Sequence, residues 1–497
     1  KWLLHDSKLM HIMLIWHNWK SNCCVRAMQG QKKYQEQLFT SFQLSEHVPK
    51  DNFYSRLKDL LEIQWLYKAT KKYYGTEGQE SIDPVVFFKL ILIGYLENQS
   101  SDRKIISMTS MRLDMLYFIG YNIDESLPWH STLSRTRQLY GEEVFQQLFR
   151  EVLKQCIEKG MVAGRRQAVD SVFVKANASM DSLLEKEILE DGDAYAGSLK
   201  EDDQQQAPFR NQHPGNNTHY SSTDADARIA TKPGKPSLLN YLAQVSVDTG
   251  CHVITNIEAH HADKRDSECL AEVVDHTVSH LQSGGLLVEE IIADTNYSSG
   301  TALQYLEDKN ITGYIPNVGG YKKGREGFEY HQQNDEYVCQ QGNKLVYKKD
   351  VLARAGRYKK VYYSSSKDCS DCPLRSQCIG KSAIKKITVT MDKTLYDQMQ
   401  ARMETHKGKR MMKLRQSTVE PVLGTLINFL GMKRVNTIGI KQAGKCMLMA
   451  ALAYNLKKLL KFRAPKAEIM IKKMGKWQQK AQKCFFQLYG NLYYAIE

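Results

Sequence analysis

A chain of 497 residues with 42% apolar content is too long for one ordinary domain, so two to four are expected. The formal charge of +14 points to a polyanion partner, and eleven cysteines in so long a chain exclude a disulfide-stapled fold. No apolar run reaches the ~18–20 residues of a membrane span, so no membrane partner is expected.

The N-terminal run 9–16 mimics the apolar stretch of a signal segment, but no small-residue cleavage site follows it. Residues 1–27 are expected to be a non-native upstream extension. Residues 28–160 read as a helical domain. PVVFFKLILIGYLEN (84–98), SDRKIISMTSMRLDMLYFIG (101–120) and GEEVFQQLFREVLKQCIEKG (141–160) each carry helical apolar spacing and end at or near a glycine. Between the last two, Ser131 is an expected N-cap, with Arg135 and Arg137 following on a short basic helix. Such a helix suits DNA recognition in a helix-turn-helix manner, and equally a plain surface helix.

From residue 167 the period changes. QAVDSVFVKA reads as a strand, and residues 187–235 as a long loop or disordered insert. Two strands follow, SLLNYLAQVSVD and CHVITNIEAHH. Then come a helix over 265–281, the strand LLVEEIIAD, a helix over 301–309 and the strand ITGYIP. Residues 317–392 break the alternation, and helices resume from about 395. The expected fold class is α/β. Strands, helix, strand, helix and strand come in the order of a ribonuclease-H-like core, split into 161–316 and 393–465. A Cys-rich β/loop subdomain (317–392) is inserted in it, the helical domain precedes it, and a basic tail (466–497) follows.

Three acids fall in this frame. Asp170 lies within the first strand, Asp294 at the end of the fourth, and Glu420 on a helix beyond the fifth. Separated carboxylates of this kind can hold two hard divalent cations for phosphoryl transfer. Each has a structural alternative: a paired strand Asp, a turn former, and for Glu420 a capping box with Ser417 ahead of Pro421. Asp224, Asp226 and Glu258 are competing acids of lower rank. Cys369-x2-Cys372-x5-Cys378, with Cys339 upstream, is an expected structural zinc site of four thiolates. Cys156, Cys251, Cys269, Cys446 and Cys484 stand alone and read as core residues of a reduced, cytosolic protein. Charge is uneven: residues 457–483 carry ten Lys or Arg against one Glu, and 402–415 six against one. Residues 181–203 carry nine acids against two bases.

At this point the chain resembles the DDE transposases of bacterial insertion sequences, and within them the insertion-sequence-eleven-eighty-two-like branch of the insertion-sequence-four superfamily. The resemblance covers roughly residues 28–465. It is carried by ESIDPVVFFKLILIGYLENQSSDRKI, LPWHSTLSRTRQLYGEEVF, VDSVFVKANAS, ADTNYSSG and CSDCPLRSQC, and by TVEPVLGTLINFLGMKRVNTIGIKQAGKCMLMAALAYNLKKLL as the most specific block. It implies that Asp170, Asp294 and Glu420 are the catalytic metal-binding acids, holding two Mg²⁺ or Mn²⁺ per active site. The implied partners are the element's inverted repeats and target DNA, bound by a homodimer in the bacterial cytoplasm, at the nucleoid. Two positions depart from the related pattern. Gln416 stands where an Arg often precedes the Glu by four residues, with Arg415 one position earlier, and Ile427 stands where a Lys often follows. The expected DNA-binding residues are Arg135, Arg137, Arg415, Lys433, Arg434, Lys472, Lys473 and Lys476. A ribonuclease-H-like nuclease without strand transfer, or a non-catalytic DNA-binding descendant, is the alternative.

Overall fold

The computed structural model describes residues 42–463, apart from 76, 78–80, 187–213, 232–233, 235, 320, 322–323 and 353–357. The expected upstream extension and the basic tail with Lys472, Lys473 and Lys476 lie outside the described residues. Contacts divide the chain between His47 and Val48. The described part of the first unit is residues 42–47, which contain helix α1 (Leu44–His47).

The second unit opens with helices α2 (Phe53–Leu60), α3 (Leu66–Thr70), α4 (Pro84–Leu96), α5 (Asp102–Ser110), α6 (Leu113–Ile119), α7 (His130–Leu139) and α8 (Glu142–Glu158). α4 begins where Asp83 accepts hydrogen bonds from the amides of Val85 (2.7 Å) and Val86 (3.1 Å), with Pro84 in the first turn. Eleven of its thirteen residues are buried. Each Leu, Ile, Val or Phe so placed contributes about 1.5–3 kcal/mol. One helix was expected over 101–120, but the chain breaks at Met111–Arg112. Arg112 turns extended and binds the Asp114 carboxylate instead.

The α/β part follows as β1 (Arg166–Lys175), β2 (Leu183–Glu185), β3 (His219–Ser221), β4 (Arg228–Ala230), β5 (Leu238–Asp248), β6 (Ile254–His261), α9 (Asp266–Gln282), β7 (Glu290–Ile292), α10 (Gly300–Asp308) and β8 (Thr312–Tyr314). The main sheet runs β4-β5-β1-β7-β8, with β6 also paired to β5. β5 is antiparallel to β1, β6 and β4, while β7 and β8 run parallel to β1. The strand expected over LLVEEIIAD shrinks to three residues, because β1 begins at Arg166 and offers no earlier partner than the one Glu290 takes. Within the expected insert, β3 and β4 are short strands among the described residues.

The alternation of strand side chains feeds two layers. Val169, Leu242 and Ile291 pack against α9, α10 and the later helix Lys393–Glu404. Ile292 and Tyr314 face the opposite layer. Residues 328–390 form a separate antiparallel sheet, β13-β12-β11-β10-β9, from β9 (Phe328–His331), β10 (Glu336–Cys339), β11 (Lys344–Leu352), β12 (Tyr358–Ser364) and β13 (Lys386–Thr390). Short helices α11 (Ser366–Ser370) and α12 (Arg375–Cys378) interrupt it. α13 (Lys393–Glu404), α14 (His406–Phe429) and α15 (Ile440–Lys461) close the chain. α15 packs against α4, α8 and β6, so the two most apolar runs of the sequence bury each other in a protein core. Among the described residues, no helix is long and apolar enough to cross a membrane.

Candidate active site

The register of two parallel strands sets the geometry. Ala168 on β1 pairs with Ile292, the last residue of β7. Two residues further along the chain stand Asp170, still in β1, and Asp294, just past β7, near enough for the charge of Asp294 to raise the pKa of Asp170. Asp170 remains in the ladder with β5, opposite Val245, and its Oδ1 accepts the Ser171 amide (2.8 Å). Asp294, two residues past β7, caps the next turn, accepting the Asn296 amide at 2.8 Å. A turn of this kind is what a strand-end Asp ordinarily makes.

α14 crosses this strand end and delivers the third acid. Arg415 Nη1 lies 2.7 Å from Asp170 Oδ2, and its Nη2 lies 3.4 Å from Glu420 Oε1. Thus Asp170 and Glu420, 250 positions apart in the chain, are joined by one guanidinium. The capping box, the structural alternative for Glu420, does not form, because Ser417 and Glu420 both lie inside a helix that started at His406. The Ser417 hydroxyl instead donates back to the Leu414 carbonyl. Pro421 sits within the helix rather than in its first turn and removes one backbone hydrogen bond beside Glu420.

Behind the acids runs a polar chain that motif reading missed. The buried Tyr297 hydroxyl donates to the Gln244 side chain, whose Nε2 donates to Asp266 Oδ1 at 2.7 Å. Asp266, in the first turn of α9, is a fourth carboxylate close enough to raise the pKa of Asp294. The only signal in the sequence was its place at a helix start after β6, which any capping acid shares.

Burial pushes Asp170 up to about 6, reinforced by the charge of Asp294 and opposed by the Ser171 amide and Arg415. Asp294 is also raised, chiefly by burial. The native state therefore holds protons on these groups at pH values where the unfolded chain has lost them. Stability of the metal-free protein should fall as pH rises from the ordinary Asp range, ~3.9, through about 6. A divalent cation needs both groups ionised. It should raise the melting temperature more above pH about 6 than below it, and Asp170→Asn should flatten that difference. Thermal melts with chelator and with Mg²⁺ across this range test it.

The donor set fits a divalent cation, since carboxylate oxygens suit hard ions and a positive group already lies between two of the acids. The three acids do not crowd into one ion's shell, however. Among the described residues, Glu258, Glu272 and His276 are the group of three whose ligand atoms all lie within 4.8 Å of one another. Among the described residues, no three of the sulfurs of Cys339, Cys369, Cys372 and Cys378 fall within that distance of one another. Cys369 Sγ instead contacts Ser364 Oγ (3.1 Å). The four cysteines occupy separate pieces of the subdomain: β10, α11, the link after it, and α12.

The expected DNA-binding residues divide. Arg135 is exposed. Arg137 is 4% exposed and forms a two-pronged ion pair with Asp102, at 2.8 and 3.1 Å. It is a core residue and cannot read bases. Its helix starts at His130 after Trp129, so Ser131 is not the N-cap. Arg415 is committed to carboxylates. Lys433 and Arg434 are exposed and line a cavity of about 530 Å³ with Val172, Phe173 and Lys175 of β1 and Asn240 of β5. The competing acids have other work. Asp224 is fully buried and accepts the Tyr241 hydroxyl at 2.7 Å, and Asp226 accepts the Ile440 amide at the start of α15.

Comparison with known families bears on the whole arrangement. Residues 42–139, the helical region, match a transposase domain (DUF772), and residues 338–460, which contain Arg415 and Glu420, match a transposase DDE domain. The chain belongs to the transposases. It is, more particularly, a DDE-type enzyme of DNA transposition. No curated protein matches the sequence. Among solved structures, the piggyBac transposase synaptic complex with hairpin DNA is similar at 10% identity, over 82% of this chain and 80% of that one, with a TM-score of 0.23. The Mos1 transposase paired-end complex with left transposon end is similar at 10% identity, over 52% and 67%, with a TM-score of 0.16. Both scores are low, and the assignment stands on the two sequence families.

Proposed function

We propose that this transposase binds the inverted repeats of a bacterial insertion sequence, cuts at their ends and joins the 3′ ends to target DNA. Asp170, Asp294 and Glu420 are its catalytic acids. The observation that carries the reading is the meeting of Asp170 from β1 and Glu420 from α14 on the Arg415 guanidinium, with Asp294, just past β7, near enough for the same guanidinium to lower its pKa. The strand order β6-β5-β1-β7-β8, antiparallel on one side of β1 and parallel on the other, supports a ribonuclease-H-like core.

In this reading the three acids hold two Mg²⁺ or Mn²⁺. When bound, such ions activate the attacking water or 3′ hydroxyl and stabilise the leaving oxygen of an in-line displacement. The chain's own residues prepare the site. The Ser171 and Asn296 amides fix one oxygen each of Asp170 and Asp294. The Tyr297–Gln244–Asp266 chain holds the floor. Arg415 balances the Asp170 and Glu420 carboxylates in the metal-free protein. A homodimer would hold two ends at once.

Incubating the protein with Mg²⁺ and a labelled inverted-repeat duplex tests the reading. Joined products support it, nicks alone favour a nuclease, and retention without cutting favours a binding protein. Lys433 and Arg434 are assigned to the DNA backbone. Lys433→Ala and Arg434→Ala should each weaken binding equally on repeat and scrambled duplexes and lower the salt slope by about one. A filter-binding titration at several salt concentrations reads both quantities.

A further inference from the structure

Away from the three acids, the edge strand β6 and the helix α9 turn a second set of ligand-type side chains toward each other. Glu258 and His260 are two apart on β6 and share one face of the strand. Glu272 and His276 are four apart on α9 and share one face of the helix. The Glu258, Glu272 and His276 ligand atoms lie within 4.8 Å of one another. They open on a cavity of about 440 Å³ where α8, β6, α9 and α15 meet.

A second observation points to a missing ligand. His260 is 5% exposed, yet its Nε2 has no hydrogen-bond partner, and neither does the buried Oε2 of Glu258. These two atoms are 3.3 Å apart but poorly aligned for a hydrogen bond. Buried polar atoms are rarely left in this condition. Two ligands of one tetrahedral zinc, each about 2.0–2.2 Å from the metal, sit about 3.4 Å apart. On the solvent side, His276 Nδ1 lies 2.6 Å from Glu258 Oε1, and His260 Nδ1 lies 3.9 Å from Glu272 Oε2.

We propose that Glu258, His260, Glu272 and His276 form a binding site for a divalent transition-metal ion, with zinc the best match, that clips α9 to the edge of the main sheet. Two imidazoles disfavour Mg²⁺, which takes oxygen ligands, and two carboxylates balance the ion's charge. The site is built from β6 and α9, whereas the candidate active site takes its acids from β1, the end of β7 and α14. The clip fastens an edge strand that otherwise has a partner on one side over most of its length.

The test uses the full-length protein, stripped with chelator and titrated with Co²⁺ as a spectroscopic probe, in millimolar Mg²⁺ to fill carboxylate-only sites. One Co²⁺ per chain should bind with visible absorption and without the near-ultraviolet band of thiolate ligation, and Cys372→Ser should bind it equally. The double variant Glu272→Gln, His276→Ala should lose at least about tenfold in Co²⁺ affinity. Both residues are 54% exposed, so this variant should melt with the wild type in chelator while losing the rise in melting temperature that Zn²⁺ produces. Absence of Co²⁺ binding, a thiolate band as the only signal, or equal affinity in the double variant would overturn the proposal.

Discussion

Asp170→Asn, Asp294→Asn and Glu420→Gln should each reduce DNA cleavage and joining by at least about a hundredfold, the scale of losing one preorganised charge at a reacting phosphate. Each change keeps the shape of the side chain and removes a charge that the cations need. End binding should remain, because affinity for duplex DNA comes mainly from Lys and Arg at phosphates. Folding is controlled internally. Burial already pushes Asp170 up to about 6, so a neutral amide there relieves a cost, and the metal-free variant should melt no lower than wild type near neutral pH. A variant that cleaves at the wild-type rate while binding ends normally would remove that residue from the catalytic set. A gel assay on labelled repeat ends, paired with thermal melts, gives both readings.

Arg137→Ala should destabilise the protein by about 3–5 kcal/mol, the cost of breaking a buried ion pair by deleting one partner. Asp102, whose side chain is 13% exposed, would be left charged without its guanidinium. The loss reaches further, since Lys445 of α15 is itself buried and donates to the carbonyls of Arg137 and Tyr140 at the end of α7. Arg135→Ala, two positions away on an exposed face, should shift stability by no more than about 0.5 kcal/mol, and any effect it has should appear in end binding. Replacing the pair together, Arg137→Met with Asp102→Leu, should recover much of the loss, because apolar packing often substitutes for a buried ion pair. Urea unfolding followed by circular dichroism separates the three variants. Near-wild-type stability of Arg137→Ala would mean that the pair is not buried in solution.

The sequence by itself was enough for the kinds of element and their order. β5 is dense in apolar residues because it is buried on both faces, as is β1 over 167–169, and that density is visible in one dimension. Asp170 and Asp294 stand out for the same reason, as charges in or at the end of runs that otherwise avoid water. The helical region was legible from its apolar spacing, whereas the Asp83 cap that starts α4 came from the structure. Tertiary structure alone decided what partners each side chain has. The helix through Glu420 is 24 residues long because its apolar positions pack across β1, β7 and β8, a long-range effect that overrides a local capping signal. Arg135 and Arg137 look alike in sequence. Their fates divide because one faces solvent and the other meets an acid 35 residues earlier. Glu258 and His276 had no motif to announce them, because a strand and a helix supply two ligand positions each, and only their packing makes them neighbours. Local pattern reports whether a residue prefers water or core. Which charge it meets there depends on contacts between distant segments, and in this protein those contacts define both candidate metal centres.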